Sequence, residues 1–331
     1  MKFKSTLAAV AAIAFSLTLA SCGGSEKPSS TSSSSNSNGL IRVAFVAGIT
    51  SDPFFRAMRL GAEEEAAKLG IDLIWTGSPT EYSPESQVPF VDAVLADQVD
   101  ALILVPTDPD SLQVSVDKAI AQGVPVITVD TTVTDQSGLT AHITGDNIQG
   151  GALAAKTLAE QIGDEGEVFI ISGSPTATTD SMRAQGFEEE LAANYPGIKV
   201  VGTEYALSQP AKATSAVNTA MLNYPDLKGI FAINGTSGTG AVAALQGASN
   251  PGQIALIGYD AYANQVADLD NGVFTALIAQ DPSQEARLAL QDAKAAVTGE
   301  GKDKIERTVV IPNIVMTKAN LADTRKYQYA E

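Results

Sequence analysis

From Leu40 onward, short apolar runs alternate with longer stretches in which apolar residues recur every three or four positions. The runs IRVAFVAG (41–48), IDLIW (71–75), DALILV (100–105) and VPVITVD (124–130) are β-branched and apolar at consecutive positions. A second series follows: EVFIISG (167–173), IKVVGTE (198–204), KGIFAIN (228–234), QIALIGYD (253–260) and VFTALIAQ (273–280). Runs apolar at odd and even positions alike predict strands buried on both faces, as in parallel sheets covered by helices. Between them, FRAMRLGAEEEAAKLG, SLQVSVDKAIAQG and GALAAKTLAEQIG carry apolar residues at helical spacing and end on glycine, the residue that closes helices most readily. Repeated strand–helix alternation predicts doubly wound βαβ units. The two series, before and after about residue 145, predict an α/β protein of two similar parallel-sheet lobes. The roughly 290 residues after Gly39 exceed a typical single core and agree with two lobes.

The N-terminal segment breaks this pattern. Lys2 and Lys4 precede an apolar run from Leu7 to Ala20, followed by Ser21 and Cys22. A basic head, an apolar middle too short to span a bilayer and a small-residue end read as a secretory signal over residues 1–21. Small residues ahead of Cys22 resemble the bacterial lipoprotein box, so acylation of Cys22 and a lipid anchor are expected. Cys22 is the single cysteine of the chain, which excludes an intramolecular disulfide. Residues 22–39, dominated by Ser, Asn and Gly, have nothing to bury and read as a tether. The protein is therefore expected outside the cytoplasm, in the periplasm or at the outer face of the cell membrane. Net charge is −17, and loss of Lys2 and Lys4 with the leader takes it to −19. With no basic patch, nucleic acid is excluded as a partner.

In open parallel sheets, ligands bind beyond the carboxyl ends of the strands. Those positions hold Asp52, Phe54 and Phe55 after the first run, Trp75 ending the second, Asp130 ending the fourth, and in the second half Arg183, Asn234, Asp260 and Gln280. The set is rich in planar hydrogen-bonding groups and aromatics and holds no thiol or imidazole. It suits a polyol: carboxylates, amides and a guanidinium each engage vicinal hydroxyls, while aromatic rings cover apolar C–H faces. Consecutive Phe54 and Phe55 cannot both point into one core face, so at least one is expected to line a cleft.

Catalytic chemistry finds little support. His142 is the lone histidine, in LTAHITGDN beside a strand, where a structural role is expected. No GxSxG occurs and no histidine follows His142, so the α/β-hydrolase order is unmet. Clustered His or Cys ligands for zinc are missing, and no metal or organic cofactor is implied. The run GTSGTGA (235–241) meets neither nucleotide fingerprint and reads as a flexible turn opening a helix. Asp52, Asp130 and Asp260 leave glycoside hydrolysis as a minority reading, because that reaction needs two carboxylates flanking one bond.

The chain as a whole resembles the type I periplasmic binding proteins of the ribose-binding group. The resemblance rests on SDPFF (51–55), VPTD (105–108), PVITVD (125–130), GDNIQGG (145–151), SMRAQGF (181–187), FAIN (231–234), LIGYD (256–260) and LIAQ (277–280), in that group's order and spacing. It implies that Phe54 and Phe55 sandwich a sugar beside Asp52, that Asp130 takes a pair of hydroxyls, and that Asn147, Arg183, Asn234, Asp260 and Gln280 approach from the second lobe. Thr131, Ser208 and Gly235 stand where the ribose-binding pattern has an arginine, an aromatic and an aspartate, which sets the chain apart from that pattern. The resemblance further implies a three-strand hinge crossing near Gly145, Gln280 and Ile311–Pro312. One lobe then comprises 40–145 plus 281–311 and the other 146–280 plus 312–331. A monomer delivering a small sugar or sugar alcohol to an ABC permease is expected. The alternative is a sensory receptor component of the same fold. Sugar-responsive repressors share this core, but the helix-turn-helix they need has no place where the leader and tether lie. Alanine at Asp130 or Arg183 is expected to abolish binding with the fold intact.

Overall fold

The computed structural model describes residues 39–248 and 253–330; the leader, Cys22 and nearly all of the tether lie outside them. In chain order the first elements are β1 (Ile41–Ala47), α1 (Pro53–Leu69), β2 (Ile71–Gly77), α2 (Pro84–Ala96), β3 (Ala101–Leu104), α3 (Gln113–Ala121), β4 (Val126–Val129) and β5 (Ala141–Gly145). There follow α4 (Asn147–Ile162), β6 (Glu165–Ser172), α5 (Thr178–Asn194), β7 (Gly197–Tyr205), α6 (Pro210–Asn223), β8 (Leu227–Ala232) and α7 (Gly235–Gly247). The last are β9 (Ala255–Tyr259), α8 (Ala263–Asp270), β10 (Ala276–Ala279), α9 (Pro282–Thr298), β11 (Thr308–Ile311), β12 (Ile314–Thr317) and α10 (Leu321–Thr324).

Strand periodicity explains why both faces of each sheet need cover. In β1, Val43, Phe45 and Ala47 enter one apolar cluster while Ala44 and Val46 enter another. In β8, Ile230 and Ala232 divide from Phe231 in the same way. Successive side chains point to opposite faces, so a strand apolar at every position is stable only between two helical layers. Helices α1 and α9 pack together over one face of the first sheet and α2 with α3 over the other; α4 with α5 and α6 with α7 do the same for the second.

The first sheet has the order β11-β5-β4-β3-β1-β2 and is parallel throughout. The second, β12-β10-β9-β8-β6-β7, is parallel except for β12, which runs antiparallel to β10. That edge strand departs from the expected all-parallel lobe. β11 belongs to the first sheet, and Pro312 and Asn313 alone carry the chain from it into β12, so β12 enters the second sheet directly from the first, with no helix to turn it into the direction of β10. The chain changes sheet between β5 and α4, between β10 and α9, and between β11 and β12.

Strands β5, β11 and β12 were not among the expected runs, being short and partly polar. The glycine run 235–241 is also not a turn: it is the first half of α7, capped by Asn234 Oδ1, which accepts from Ser237 N at 2.9 Å. Its glycines permit close packing. A Cβ on Gly240 would meet Ala213 and the Pro210 carbonyl of α6, so the composition that suggested flexibility serves helix contact instead.

Candidate ligand-binding site

Each sheet ends one strand on an aspartate with a left-handed backbone. Asp130 follows β4 with φ +59° and Asp260 follows β9 with φ +76°. Each donates its amide to the neighbouring strand, Asp130 to Ile143 O and Asp260 to Ile278 O, both at 2.8 Å. Aspartate tolerates this region better than most residues, and the reversal lifts its carboxylate off the strand end into the space between the sheets. Asp52 and Asn234, also at strand ends, cap α1 and α7, so the turns that start these helices present polar side chains to the same space.

These groups surround one pocket in the cleft, partly open to solvent. Asp52, Phe54, Phe55, Tyr82 and Asp130 line it from the first sheet's side; Asp180, Arg183, Asn234, Asp260 and Gln280 line it from the second. The lobes touch around it: Tyr262 OH donates to Asp52 Oδ1 at 2.6 Å, and Thr132 N donates to Thr178 Oγ1 at 3.3 Å.

Arg183 organises the polar side. It is 3% exposed, its Nε donates to Asn147 Oδ1 at 2.7 Å, Nη1 to Ile233 O at 3.2 Å, and Nη2 to Gln280 Oε1 at 2.9 Å. Its guanidinium carbon lies 3.9 Å from the centre of the Tyr259 ring, a cation–π contact. The chain continues outward, with Gln280 Nε2 donating to Asp260 Oδ1 at 2.7 Å and Gly235 N to Asp260 Oδ2 at 2.8 Å. Asp130 and Asp180 stand 3.8 and 4.0 Å from the guanidinium, as charge partners beyond hydrogen-bond range. Asp130 Oδ1 is buried and has no hydrogen-bond partner among the described residues, which leaves it for a donor in the cavity.

The carboxyl groups lining the cavity outnumber its one arginine, and burial raises the pKa of Asp52, Asp130 and Asp180. Burial pushes Asp52 up to about 6, against the pull of the Tyr262 hydroxyl, with Asp260 adding to the rise. Burial pushes Asp130 up to about 7 although Arg183 pulls it down, and Asp260, Asp180 and Asp52 push the same way as burial. Asp180 is likewise raised by burial, against Arg183 and the Ser174 amide. Hydroxyl donors or water entering the cleft would offset this cost, because hydrogen bonds to the charged form favour it.

Two expected residues do not line the cavity. Trp75 pairs with Phe45 in the β1–β2 register and packs on its ring at 4.6 Å, under α1. The reason is positional: β2 is the edge strand, and facing neighbours on adjacent strands share a side of the sheet. Asn147 is fully buried one layer behind, accepting from Arg183 and donating to Gly145 O at 2.9 Å. In turn, Asp180 and Tyr262 line the cavity without having been expected there, beside Tyr82 and Ser208, the latter at the position where the ribose-binding pattern has an aromatic. Asp180, three residues before Arg183 on one helical face, had a spacing that could have found it. His142 sits in β5 with its Nδ1 3.0 Å from Thr128 Oγ1, and burial lowers its pKa to about 4, keeping the ring neutral.

Behind the cavity, the three crossings converge on Glu285 in the first turn of α9. A Cβ placed on Gly145 would lie 3.1 Å from Gln280 Oε1, 3.6 Å from Asn313 Oδ1 and 3.8 Å from Glu285 Oε1. Both Glu285 oxygens and Asn313 Oδ1 are buried without hydrogen-bond partners among the described residues. Burial, then Asp130, Asp281 and Asp260, raise the Glu285 pKa well above its ordinary 4.5 against the pull of Arg183. An acid raised by folding stabilises most below its unfolded value, and that contribution is lost as pH rises from 4.5 through the folded value. Glu285→Gln, which removes the ionisable group from that buried spot, is therefore expected to raise Tm at pH 8 by about 3 °C and to change it little at pH 4. Thermal melts of both proteins across that range check the sign; a Tm at pH 8 lower than that of the parent would oppose it.

The periplasmic binding protein domain family matches residues 43–301 of this chain. A D-ribose/D-allose-binding protein of Pseudomonas aeruginosa is 31% identical over 270 residues, 78% of this chain and 83% of that protein. A ribose import binding protein of Bacillus subtilis is 28% identical over 261 residues, 79% of this chain and 82% of that one. Among solved structures, an ABC transporter solute-binding protein of Agrobacterium vitis bound to α-D-tagatopyranose superposes with a TM-score of 0.84 at 34% identity, covering 88% of this chain and 100% of that one.

Proposed function

Since the chain belongs to the periplasmic binding protein domain family, we propose that it captures a small sugar or sugar alcohol between two closing lobes and hands it to an ABC importer. The observation that carries this reading is the cavity itself. Carboxylates at matching strand ends of the two sheets face the same space as Arg183, Asn234 and Gln280, beside Phe54 and Phe55. Hydroxyls supply the donor that Asp130 Oδ1 lacks, and the rings cover C–H faces. The similar proteins named for ribose and allose, and the solute-binding protein solved with tagatose bound, support the same class.

We assign residues 40–145 plus 281–311 to one lobe and 146–280 plus 312–331 to the other. The changes of sheet after β5, β10 and β11 support a hinge at those crossings. Ligand bridging both lobes would favour the closed form, and closure is what a permease can read. A monomer anchored through acylated Cys22 would keep that closed form beside the membrane. No catalytic step and no metal are part of the proposal, and among the described residues no group of His, Cys, Asp and Glu could hold a metal ion.

A thermal-shift screen of the purified chain against pentoses, hexoses, polyols and nucleosides tests the reading. A ligand at about 100 times its Kd adds roughly 2.7 kcal/mol, hence several degrees in Tm. A flat screen on folded protein would sink the simple-sugar reading.

A further inference from the structure

The last residues of the chain fold back onto the ligand cleft. After β12, α10 and a turn over Arg325–Tyr327 lead to Tyr329, which is 4% exposed. Its amide donates to Ala261 O at 2.9 Å, attaching the tail to the loop that carries Asp260 and Tyr262. Its hydroxyl donates to Asp260 Oδ1 at 3.0 Å. Its ring meets Phe54 edge-on, with centroids 6.1 Å apart, and lies 6.0 Å from the Tyr262 ring. One side chain thus touches the strand-end acid of the second sheet, an aromatic wall of the first, and the tyrosine that bonds Asp52 across the cleft.

The hydrogen-bond count on Asp260 gives this contact a consequence. A carboxylate offers about four lone-pair sites in its plane. Gln280 Nε2 and Tyr329 OH occupy Oδ1, and Gly235 N occupies one site on Oδ2. One site on Oδ2 is left for a ligand in the cavity, in a direction set by the other three bonds. Without the Tyr329 hydroxyl, Oδ1 regains a free site and the carboxylate can meet hydroxyls of more than one geometry. Phe54 loses its edge contact if the whole ring goes.

We infer that Tyr329 is a positioning residue for the ligand: by aiming Asp260 and bracing Phe54, the C-terminal tail sets which sugars the cleft prefers. The inference rests on the sugar-binding reading above and goes beyond it in giving the tail a share in specificity.

Two variants of the full chain test it, Tyr329→Phe and removal of residues 325–331, each titrated calorimetrically with D-ribose, D-allose and D-tagatose. Tyr329→Phe is expected to weaken the sugar the parent binds best about 10-fold and to shift the ratio of affinities among the three by about 5-fold, with the unliganded Tm close to that of the parent. The truncation is expected to cost about 100-fold, because the ring contact goes as well. Unchanged affinities would overturn the inference, and so would one common factor for all three sugars, which marks a brace without a role in preference. If the parent binds none of the three, the same titrations use the ligands found in the thermal-shift screen; a flat screen fails the sugar reading instead, and amide exchange over residues 259–262 of the unliganded proteins then decides. Faster exchange in the truncated chain supports the brace, and equal protection overturns it.

Discussion

Arg183→Ala is expected to make sugar binding undetectable by calorimetry and to lower the Tm of the unliganded protein by about 10 °C. Both effects come from the same burial. The guanidinium donates to Asn147, Ile233 O and Gln280, three acceptors on three different elements. Among the described residues it is also the one cation close to Asp130 and Asp180, at 3.8 and 4.0 Å. Removing one partner of a buried charge network leaves the others unpaired, a loss of about 3–5 kcal/mol. In a protein of this size that is roughly 2–4 °C per kcal/mol. The expectation of intact folding treats Arg183 as a ligand contact alone, whereas it lies inside α5. At 3% exposure it is part of the interior. Arg183→Lys is expected to recover little, since an ammonium cannot reach three divergent acceptors as a planar fork does. Calorimetric titration and melting of both variants measure the two losses; binding within threefold of the parent in Arg183→Ala would overturn the role.

Asp130→Ala separates function from stability instead. Binding is expected to fall by about 100-fold or more, because Asp130 Oδ1 is the acceptor in the cavity that no donor among the described residues fills. The unliganded protein is expected to be as stable as the parent at pH 4 and more stable at pH 8. Burial holds the Asp130 carboxyl at about 7 when folded against 3.8 ordinarily. Its favourable contribution is therefore present below pH 3.8 and is lost as pH rises through 7, where ionisation inside the cleft becomes unavoidable. Alanine removes that penalty. Parallel melts at the two pH values, with titrations at neutral pH, check both halves. Weaker stability of Asp130→Ala at pH 8 would show that the carboxylate holds the unliganded fold together.

The two aspartates show what strand-end logic makes legible. Asp130 and Asp260 end runs whose consecutive apolar residues already called for sheets covered on both faces, and ligands gather at such ends. Phe54, Phe55, Asn234 and Gln280 follow by the same rule, and all reach the cavity. Trp75 obeys the rule in sequence and fails it in space, because strand order, which no single run encodes, put β2 at the edge. The antiparallel β12 escaped for a related reason: the chain enters the second sheet directly from β11 of the first, against the direction of β10, and that crossing is a matter of tertiary path.

By itself, then, the order of residues determined the α/β class, the two series of strands and most groups at the strand ends, since these follow from local periodicity and composition. Only the tertiary structure decided how those groups act on one another. Asp52 and Tyr262 meet across 210 positions of sequence, and Tyr329 reaches Asp260 across 69. Glu285 is stranded among Gly145, Gln280 and Asn313 because three separate crossings converge there. Burial, charge state and aim are properties of what surrounds a side chain, and in this protein the surroundings come from segments far apart along the chain.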